Sequence, residues 1–167
     1  MLERFFPKAY YASISKVPFD ALWAEGIRGL IIDIDNTLAT FDVPDPPKEI
    51  VRLLDDLREQ GFRVCLFSNN KKARVERFNA ELGLPAIHKA GKPKKRGVKR
   101  ALAMLDVSRD QAALIGDQLF TDVWCGNRCG VKSILVEPIA KRDEWTVRLK
   151  RKPEQLVFRA YRKKCGL

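Results

Sequence analysis

The sequence has few of the residues that build zinc sites and disulfide frameworks. Its 167 residues include one histidine and four cysteines. A zinc site would lack ligands with a single histidine, and a chain of this length can bury a proper core without disulfides. We therefore expect the cysteines to be reduced thiols of an intracellular protein; they are Cys65, Cys125, Cys129 and Cys165.

Long apolar runs are missing as well. None reaches the length of a transmembrane helix, and charged residues and Pro7 interrupt residues 1–11, which therefore lack the apolar core of a signal peptide. The sequence predicts a cytoplasmic protein. Its length predicts a single domain over residues 1–167, divided into an aromatic arm at 1–26, a catalytic core at 27–136 and a basic segment at 137–167.

Acidic residues are absent from residues 89–100, which hold seven basic ones. Residues 141–167 hold ten basic and three acidic residues. These two segments carry more positive charge than the net +11 of the whole chain, so the remainder is slightly acidic and the basicity is local. A local basic face predicts an anionic partner, which could be a phosphate ester, a nucleic acid or an anionic membrane surface.

The most informative stretch is an apolar run, Leu30 to Ile32, that leads into Asp33 and Asp35. Such a run is typical of a strand buried on both faces of a parallel sheet. Side chains two positions apart in a strand point the same way, so two like charges would meet at its carboxyl end. A hard cation such as Mg²⁺ would offset their repulsion. The alternative is a surface turn, because Asp-Asn-Thr is also good turn chemistry.

Strand and helix patterns alternate along the core. The expected order is strand 30–34, helix 47–61, strand 62–67, helix 71–82, strand 85–88, helix 92–105, strand 112–116, helix 119–128 and strand 131–136. This alternation predicts a doubly wound, Rossmann-like α/β fold, a three-layer sandwich around a five-stranded, mainly parallel sheet.

Polar clusters follow the predicted strands, where ligands bind in such sheets. They are Asp33 with Asp35, Ser68 with Asn69, Lys92, and Asp117 with Asp122. Singly, each is also an ordinary helix cap, turn or solvated lysine. Together, at four strand ends, they can converge on one point.

Three segments lie outside the alternation. The aromatic residues of the arm could lie at a membrane interface, but we expect them to cover one end of the core. The proline-rich loop at 41–47 could fold over the strand end as a flap. In the basic segment, Pro153 can start a helix that packs on the sheet or, alternatively, lies on anionic lipid; its apolar stripe is Leu156, Val157, Ala160 and Tyr161.

Taken together, the polar clusters resemble the four motifs of the haloacid dehalogenase (HAD) superfamily of phosphotransferases. The matching residues are Asp33-Ile34-Asp35-Asn36-Thr37, Ser68, Lys92-Pro93 and Gly116-Asp117 with Asp122. The likeness covers about residues 27–136, and the first and last motifs are the specific ones. Asn36 stands where the commonest pattern of the superfamily has glycine, which fits the small subgroup called type IIIA.

The resemblance implies catalytic roles for three residues. Asp33 would be the nucleophile that forms an aspartyl-phosphate, and Asp35 the general acid that then acts as the base. Lys92 would hold the transferring phosphoryl group together with Ser68 and the neighbouring Asn69. These roles are chemically sound, because a lysine and a cation offset the repulsion between an attacking carboxylate and a phosphate dianion.

The resemblance also implies a Mg²⁺ site. Its ligands would be the Asp33 carboxylate, the Asp35 backbone carbonyl and Asp117, while Asp122 would support the site or orient Lys92. The 33 positions from Asp35 to Ser68 and the 24 from there to Lys92 leave no room for a cap domain. Capless members of the superfamily have open sites that tend to accept large or surface-bound substrates.

Within the superfamily, the capless form, the Asp-Ile-Asp-Asn-Thr motif and the Phe-Phe-Pro arm resemble the phosphatidylglycerophosphate phosphatase branch. The expected function is Mg²⁺-dependent hydrolysis of a phosphomonoester on an anionic lipid headgroup, by a protein that touches the inner membrane face peripherally. The alternatives are a HAD phosphatase of another phosphorylated substrate, a nucleic-acid- or ribosome-associated basic protein, and a scaffold that has lost the chemistry.

Overall fold

A computed structural model of the chain describes residues 2–140 and 145–165, and for residues 145–152 it describes the backbone alone. Its described strands are β1 Ala9–Tyr11, β2 Gly29–Ile32, β3 Arg63–Phe67, β4 Ala86–Ile87, β5 Ala112–Gly116 and β6 Lys132–Val136. Its described α-helices are α1 Phe19–Ala24, α2 Lys48–Glu59, α3 Lys72–Asn79, α4 Lys95–Leu105, α5 Trp124–Cys129 and α6 Trp145–Cys165. Short 3₁₀ turns precede β1, α1 and β5.

The strands form one parallel sheet in the order β1-β6-β5-β2-β3-β4. This confirms the predicted α/β fold, although five strands were expected and the described chain has six. The additional strand, β1, belongs to the aromatic arm and pairs with β6 from Ala9 opposite Ile134 to Tyr11 opposite Val136. Three residues are too few for a period-two pattern to be recognised, so the sequence did not reveal this strand.

The side chains of β2 alternate between two hydrophobic clusters. Leu30 and Ile32 pack with the apolar sides of α1, α2 and α3. Ile31 lies on the other face, with α4 and α5. All three side chains are fully buried. Helices therefore cover both faces of the sheet, which explains the unbroken apolar run of this strand and confirms the three-layer arrangement.

The aromatic arm and α6 cover the β1 edge of the core together. Phe6 meets Tyr161 edge to face with ring centroids 5.6 Å apart, and Tyr10 meets Phe158 in the same way at 4.8 Å. Val157 and Tyr161 are buried in this contact. The arm thus covers one end of the core, as expected, and α6 packs on the arm.

The last helix differs from expectation in two ways. It begins at Trp145, so Pro153 lies inside the helix and does not start it. Leu156, which was assigned to the apolar stripe, is 67% exposed. Part of the basic segment, residues 141–144 and 166–167, lies outside the described residues. Over the part of the chain that the structure describes, none of the helices combines the length and apolarity needed to cross a membrane.

Two helices beside the strand ends also begin differently than expected. Lys92 and Pro93 form a turn, and α4 begins only at Lys95. The Asn69 amide holds both backbone groups of Lys92, accepting from its N–H at 2.8 Å and donating to its carbonyl at 3.2 Å. The helix expected over 119–128 starts with a π-helical turn, Leu119–Val123, before α5.

Candidate active site

The carboxyl ends of β2, β3 and β5 meet at one edge of the sheet, because these strands are direct neighbours. Asp33 directly follows β2, Ser68 follows β3 and Asp117 follows β5. All three residues are buried. The N–H of Asp33 donates to the Ile115 carbonyl at 2.9 Å, which continues the strand pairing one residue beyond β2. The structure thus brings together residues that lie far apart in the sequence.

Lys92 lies at the centre of a buried ionic cluster. Its Nζ donates to Asp33 Oδ1 at 2.6 Å, to Asp122 Oδ1 at 2.7 Å and to the Phe67 carbonyl at 3.3 Å. The side chain of Lys92 is 4% exposed and that of Asp122 is fully buried. Three acceptors match the three ammonium hydrogens, so the charge is fixed in position. This geometry excludes the alternative that Lys92 is a solvated lysine of a basic run.

Asp122 is held through both of its oxygens. Oδ1 accepts from Lys92, while Oδ2 accepts from the N–H of Gln118 at 3.2 Å and from Thr121 Oγ1 at 3.4 Å. The site also depends on Gly116, because a Cβ at that position would lie 2.3 Å from Asp122 Cγ. Glycine permits this close approach where any side chain would displace the carboxylate. Asp122 thus holds the Lys92 ammonium in the structure, while its expected role, supporting the metal site or orienting Lys92 in the reaction, stays a prediction.

Burial and neighbouring charges shift the pKa values in this cluster. Burial raises the pKa of Asp33 to about 7; the charge of Lys92 opposes this shift and that of Asp122 adds to it. Burial by itself would lower the pKa of Lys92, but the charges of Asp122 and Asp33 outweigh it and raise that pKa above its ordinary value. Lys92 is therefore held as a cation, and Asp33 needs further positive charge to be held as a carboxylate.

The residues around Asp33 fit a divalent cation. Asp33, Asp117 and Asp122 are buried and place carboxylate oxygens within 4.8 Å of one another. Lys92 pairs with two of these carboxylates, those of Asp33 and Asp122. Carboxylate oxygens gathered in this way suit a hard cation such as Mg²⁺. The Asp35 carboxylate is not part of this group; its expected contribution was through its backbone carbonyl.

The Asp35 side chain has different surroundings. It is 22% exposed, whereas that of Asp33 is 6% exposed. Oδ2 accepts from Ser68 Oγ and from Asn70 Nδ2, each at 3.3 Å. Oδ1 accepts from Arg74 Nε at 3.3 Å and from its Nη2 at 3.2 Å. A carboxyl group held by three side chains and still in contact with solvent can exchange a proton without leaving its place.

The turn after β2 explains the asparagine of the first motif. Asn36 has φ of 63°, in the left-handed region that asparagine tolerates better than most residues. Its N–H donates to the Ala39 carbonyl at 2.7 Å. Asp-Asn-Thr therefore does form a turn. This turn begins at the end of a buried strand, and Thr37 is itself buried. The surface-turn alternative is thus excluded.

Two side chains that contact Asp35, Asn70 and Arg74, were not predicted. A local signal for Arg74 does not exist, because its partner Asp35 is 39 residues away in the chain. Asn69 was expected to bind phosphate. Its Oδ1 accepts from the N–H of Lys92 and its Nδ2 donates to the Lys92 carbonyl at 3.2 Å, so it holds the loop that carries Lys92. Its contact with phosphate stays a prediction.

The chain around the site has no inserted domain within residues 33–92, all of which the structure describes. From Asp35 to Ser68 it forms a loop and α2, and from Ser68 to Lys92 it forms α3 and the two-residue β4. The absence of a cap from this region is confirmed, and the approach to Asp35 is open to solvent.

The fold and the site define a capless hydrolase of the HAD type, and comparison with known proteins agrees. The HAD-hydrolase-like family model matches residues 89–163. The probable phosphatase YqeG of Bacillus subtilis (strain 168) is 35% identical over 165 residues, which cover 98% of this chain and 96% of that protein. The chain therefore belongs to the HAD-like superfamily and is a phosphatase of that superfamily.

Two further similarities are more distant. Phosphatidylglycerophosphate phosphatase 1, chloroplastic, of Chlamydomonas reinhardtii is 30% identical over 142 residues, which cover 78% of this chain and 52% of that protein. This chain thus spans about half of that relative. The cobalt-bound deoxy-D-mannose-octulosonate 8-phosphate phosphatase from Haemophilus influenzae superposes with a TM-score of 0.57 at 16% identity, over 82% of this chain and 90% of that structure. At this identity the structural likeness shows the fold alone.

Proposed function

We propose that this phosphatase is a Mg²⁺-dependent phosphomonoester hydrolase that forms an aspartyl-phosphate on Asp33, and that its substrate is the terminal phosphate of an anionic phospholipid of the phosphatidylglycerophosphate type. The observation that carries the proposal is the contrast between a buried carboxylate beside a fixed cation, Asp33 with Lys92, and a solvent-accessible carboxylate beside it, Asp35. The catalytic core is residues 27–136 of a single domain.

In the first half-reaction, a carboxylate oxygen of Asp33 attacks phosphorus while the bond from phosphorus to the alcohol oxygen breaks. Asp35 enters this step protonated and gives its proton to the leaving alcohol. Lys92, Ser68 and Asn69 bind the phosphoryl oxygens. Asp33, Asp117 and the Asp35 carbonyl would hold a divalent cation, which would supply positive charge against the repulsion between nucleophile and phosphate.

In the second half-reaction, water attacks phosphorus of the aspartyl-phosphate and the bond to Asp33 breaks. Asp35 is now a carboxylate and takes a proton from the attacking water, which returns it to the protonated form. Inorganic phosphate leaves, and Asp33 is restored. One carboxyl group therefore serves both steps, and Lys92 keeps its charge throughout because Asp122 holds it in place.

The rim of the site supports a substrate at a lipid surface. Two large apolar side chains beside it are each 52% exposed, Phe41 and Ile139. Ile139 is fixed next to the motif because its N–H donates to the Asn36 carbonyl at 3.0 Å. Phe41 follows Thr40, whose carbonyl accepts from Arg74 Nη2 at 3.4 Å. Exposed apolar side chains at the rim of a site are suited to contact with a membrane surface.

A substrate panel tests the proposal. Purified protein should release inorganic phosphate from phosphatidylglycerophosphate in mixed micelles when Mg²⁺ is present, faster than from glycerol, sugar or nucleotide phosphates, and EDTA should stop the reaction. Asp33→Asn serves as the control for contaminating phosphatases. If the protein with Mg²⁺ hydrolyses neither an aryl phosphate nor the lipid, the proposed reaction is wrong.

The rim variants test the lipid part separately. Phe41→Ser and Ile139→Ser should each lower the rate on the micellar lipid by about tenfold to a hundredfold, because one buried apolar side chain contributes on the order of 1.5–3 kcal/mol to surface binding. Rates on a soluble aryl phosphate should stay unchanged. Met104→Ser is the matched control, since Met104 is 47% exposed on α4. Equal losses in all three variants would count against a lipid surface.

A further inference from the structure

Arg74 is the charged partner of Asp35 among the contacts that the structure describes. Its side chain is 12% exposed. Nε and Nη2 both donate to Asp35 Oδ1, at 3.3 Å and 3.2 Å. This is a two-pronged contact from a planar, rigid donor, which fixes the direction of a carboxyl group better than a single donor can.

The same guanidinium also holds the loop that follows the motif. Nη1 donates to the Pro44 carbonyl at 3.0 Å, and Nη2 donates to the Thr40 carbonyl at 3.4 Å. The guanidinium carbon lies 5.2 Å from the centroid of the Phe78 ring on the same helix. The contacts link α3, the 40–44 loop and Asp35, so Arg74 itself has little freedom to move.

The other oxygen of Asp35 is held by neutral groups. Ser68 Oγ and Asn70 Nδ2 donate to Oδ2, and the N–H of Asn70 donates to Ser68 Oγ at 3.0 Å. Ser68 is also a proposed phosphate ligand, so a bound phosphoryl group would compete with Asp35 for its hydroxyl. When Ser68 turns to substrate, the contact of Arg74 with Oδ1 remains to keep Asp35 in place.

We propose that Arg74 is a positioning residue for proton transfer by Asp35. The inference rests on the proposed function, because it matters only if Asp35 donates the proton to the leaving alcohol. Arg74 touches neither the nucleophile Asp33 nor its partner Lys92 among the contacts that the structure describes. Its loss should therefore weaken proton transfer and leave nucleophilic attack intact.

Two substrates separate proton transfer from attack. Glycerol 3-phosphate has a poor leaving group that needs a proton, whereas p-nitrophenyl phosphate has a good one that leaves as an anion. The quantity to compare is kcat/KM, because it reports the steps up to release of the alcohol and is not affected by hydrolysis of the aspartyl-phosphate.

Arg74→Ala should lower kcat/KM about tenfold to a hundredfold with glycerol 3-phosphate and less than about threefold with p-nitrophenyl phosphate. Arg74→Lys should fall between Arg74→Ala and wild type, since lysine keeps the charge but has no fork. Asp35→Asn should show the same leaving-group preference as Arg74→Ala, and adding Arg74→Ala to Asp35→Asn should not increase it.

The matched control is Arg77→Ala. Arg77 lies one helical turn further along α3 and pairs with Asp45 at 3.1 Å, so it ties the same loop to the same helix without contacting Asp35. It should leave both kcat/KM values unchanged.

Three outcomes would overturn the proposed role of Arg74. The positioning role would be overturned if folded Arg74→Ala and Arg74→Lys lost kcat/KM equally with the two substrates, or lost none with either. The phosphatase mechanism would still stand. The same leaving-group preference in Arg77→Ala would show that the loop tether matters and Arg74 itself does not, which also overturns it. A wild type that hydrolyses neither of these substrates nor the micellar lipid overturns the proposed function together with this inference.

Discussion

Asp33 and Asp35 are two positions apart in the chain, yet the protein surrounds them by opposite means. Asp33 is buried with Lys92 and Asp122, in a region where charges act strongly because water is excluded. Asp35 is 22% exposed and is fixed by Arg74 and neutral donors. The difference in burial and partners explains how one strand end can carry two carboxylates suited to different tasks. The buried carboxylate suits attack on phosphorus, and the accessible one suits exchange of protons with water.

The largest expected effect comes from exchanging each carboxylate for an amide. Asp33→Asn should lower turnover by more than about 10⁴-fold, since the nucleophile is lost. Asp35→Asn should lower it by about 10²- to 10⁴-fold, the usual contribution of a general acid and base. Acid quenching with a ³²P-labelled aryl phosphate should trap phosphoprotein in Asp35→Asn and none in Asp33→Asn. Labelled protein in both variants would assign the nucleophile to another residue.

The second effect concerns stability. Lys92→Ala leaves two buried carboxylates without their cation, so in EDTA it should lower the free energy of unfolding by about 3–5 kcal/mol. Mg²⁺ should restore part of the loss because it replaces the missing charge. Urea unfolding measures both values. The exposed neighbour Lys94 is the control, and Lys94→Ala should change stability by less than about 0.5 kcal/mol. A similar small change in Lys92→Ala would contradict the ionic cluster.

The third effect is a pH dependence of stability that arises at the buried carboxylate, Asp33. The pKa of Asp33 is raised from 3.8 to about 7 in the folded, metal-free protein. Between these values the folded state binds more protons than the unfolded state, so this contribution to stability is present at low pH and is lost as pH rises through about 7. In EDTA, Asp33→Asn should remove this decline.

The stabilisation by Mg²⁺ should have the opposite pH dependence. The cation binds the deprotonated carboxylate, so the rise in Tm on adding Mg²⁺ should be larger at pH 8 than at pH 5.5. Thermal unfolding with EDTA or Mg²⁺ at the two pH values measures it. A rise in Tm that is independent of pH would indicate that the cation binds away from Asp33.

The smallest effect is expected at the exposed end of α3. The side chains of Arg77 and Asp45 are 63% and 61% exposed, so their ion pair is screened by solvent. Asp45→Ala should change the free energy of unfolding by less than about 1 kcal/mol and leave turnover unchanged. A larger loss of stability in urea unfolding would mean that the 40–45 loop depends on Asp45 more than on Arg74.

Much of the fold could be predicted because its signals are local. The apolar run of β2 and the periodic helices on either side of it predicted a doubly wound sheet, and burial of Leu30 and Ile31 on opposite faces confirmed it. The predicted start of α4 was wrong, because the Asn69 amide, 23 positions earlier, accepts from the N–H of Lys92 and binds its carbonyl, which is then not available as a helix acceptor. The position of Pro153 inside α6 was missed because the proline suggested a helix start where the helix is already formed.

By itself, the sequence determined the alternation of strands and helices in the core, the membership of the HAD-like superfamily and the identity of the polar residues at the strand ends. Tertiary structure alone decided how Asp33 and Asp35 differ, because that depends on Arg74, Lys92 and Asp122, which lie between 39 and 89 positions away in the chain. It also decided that β1 joins the sheet. The physical reason is that burial and long-range hydrogen bonds follow from packing, which no local pattern in the chain records.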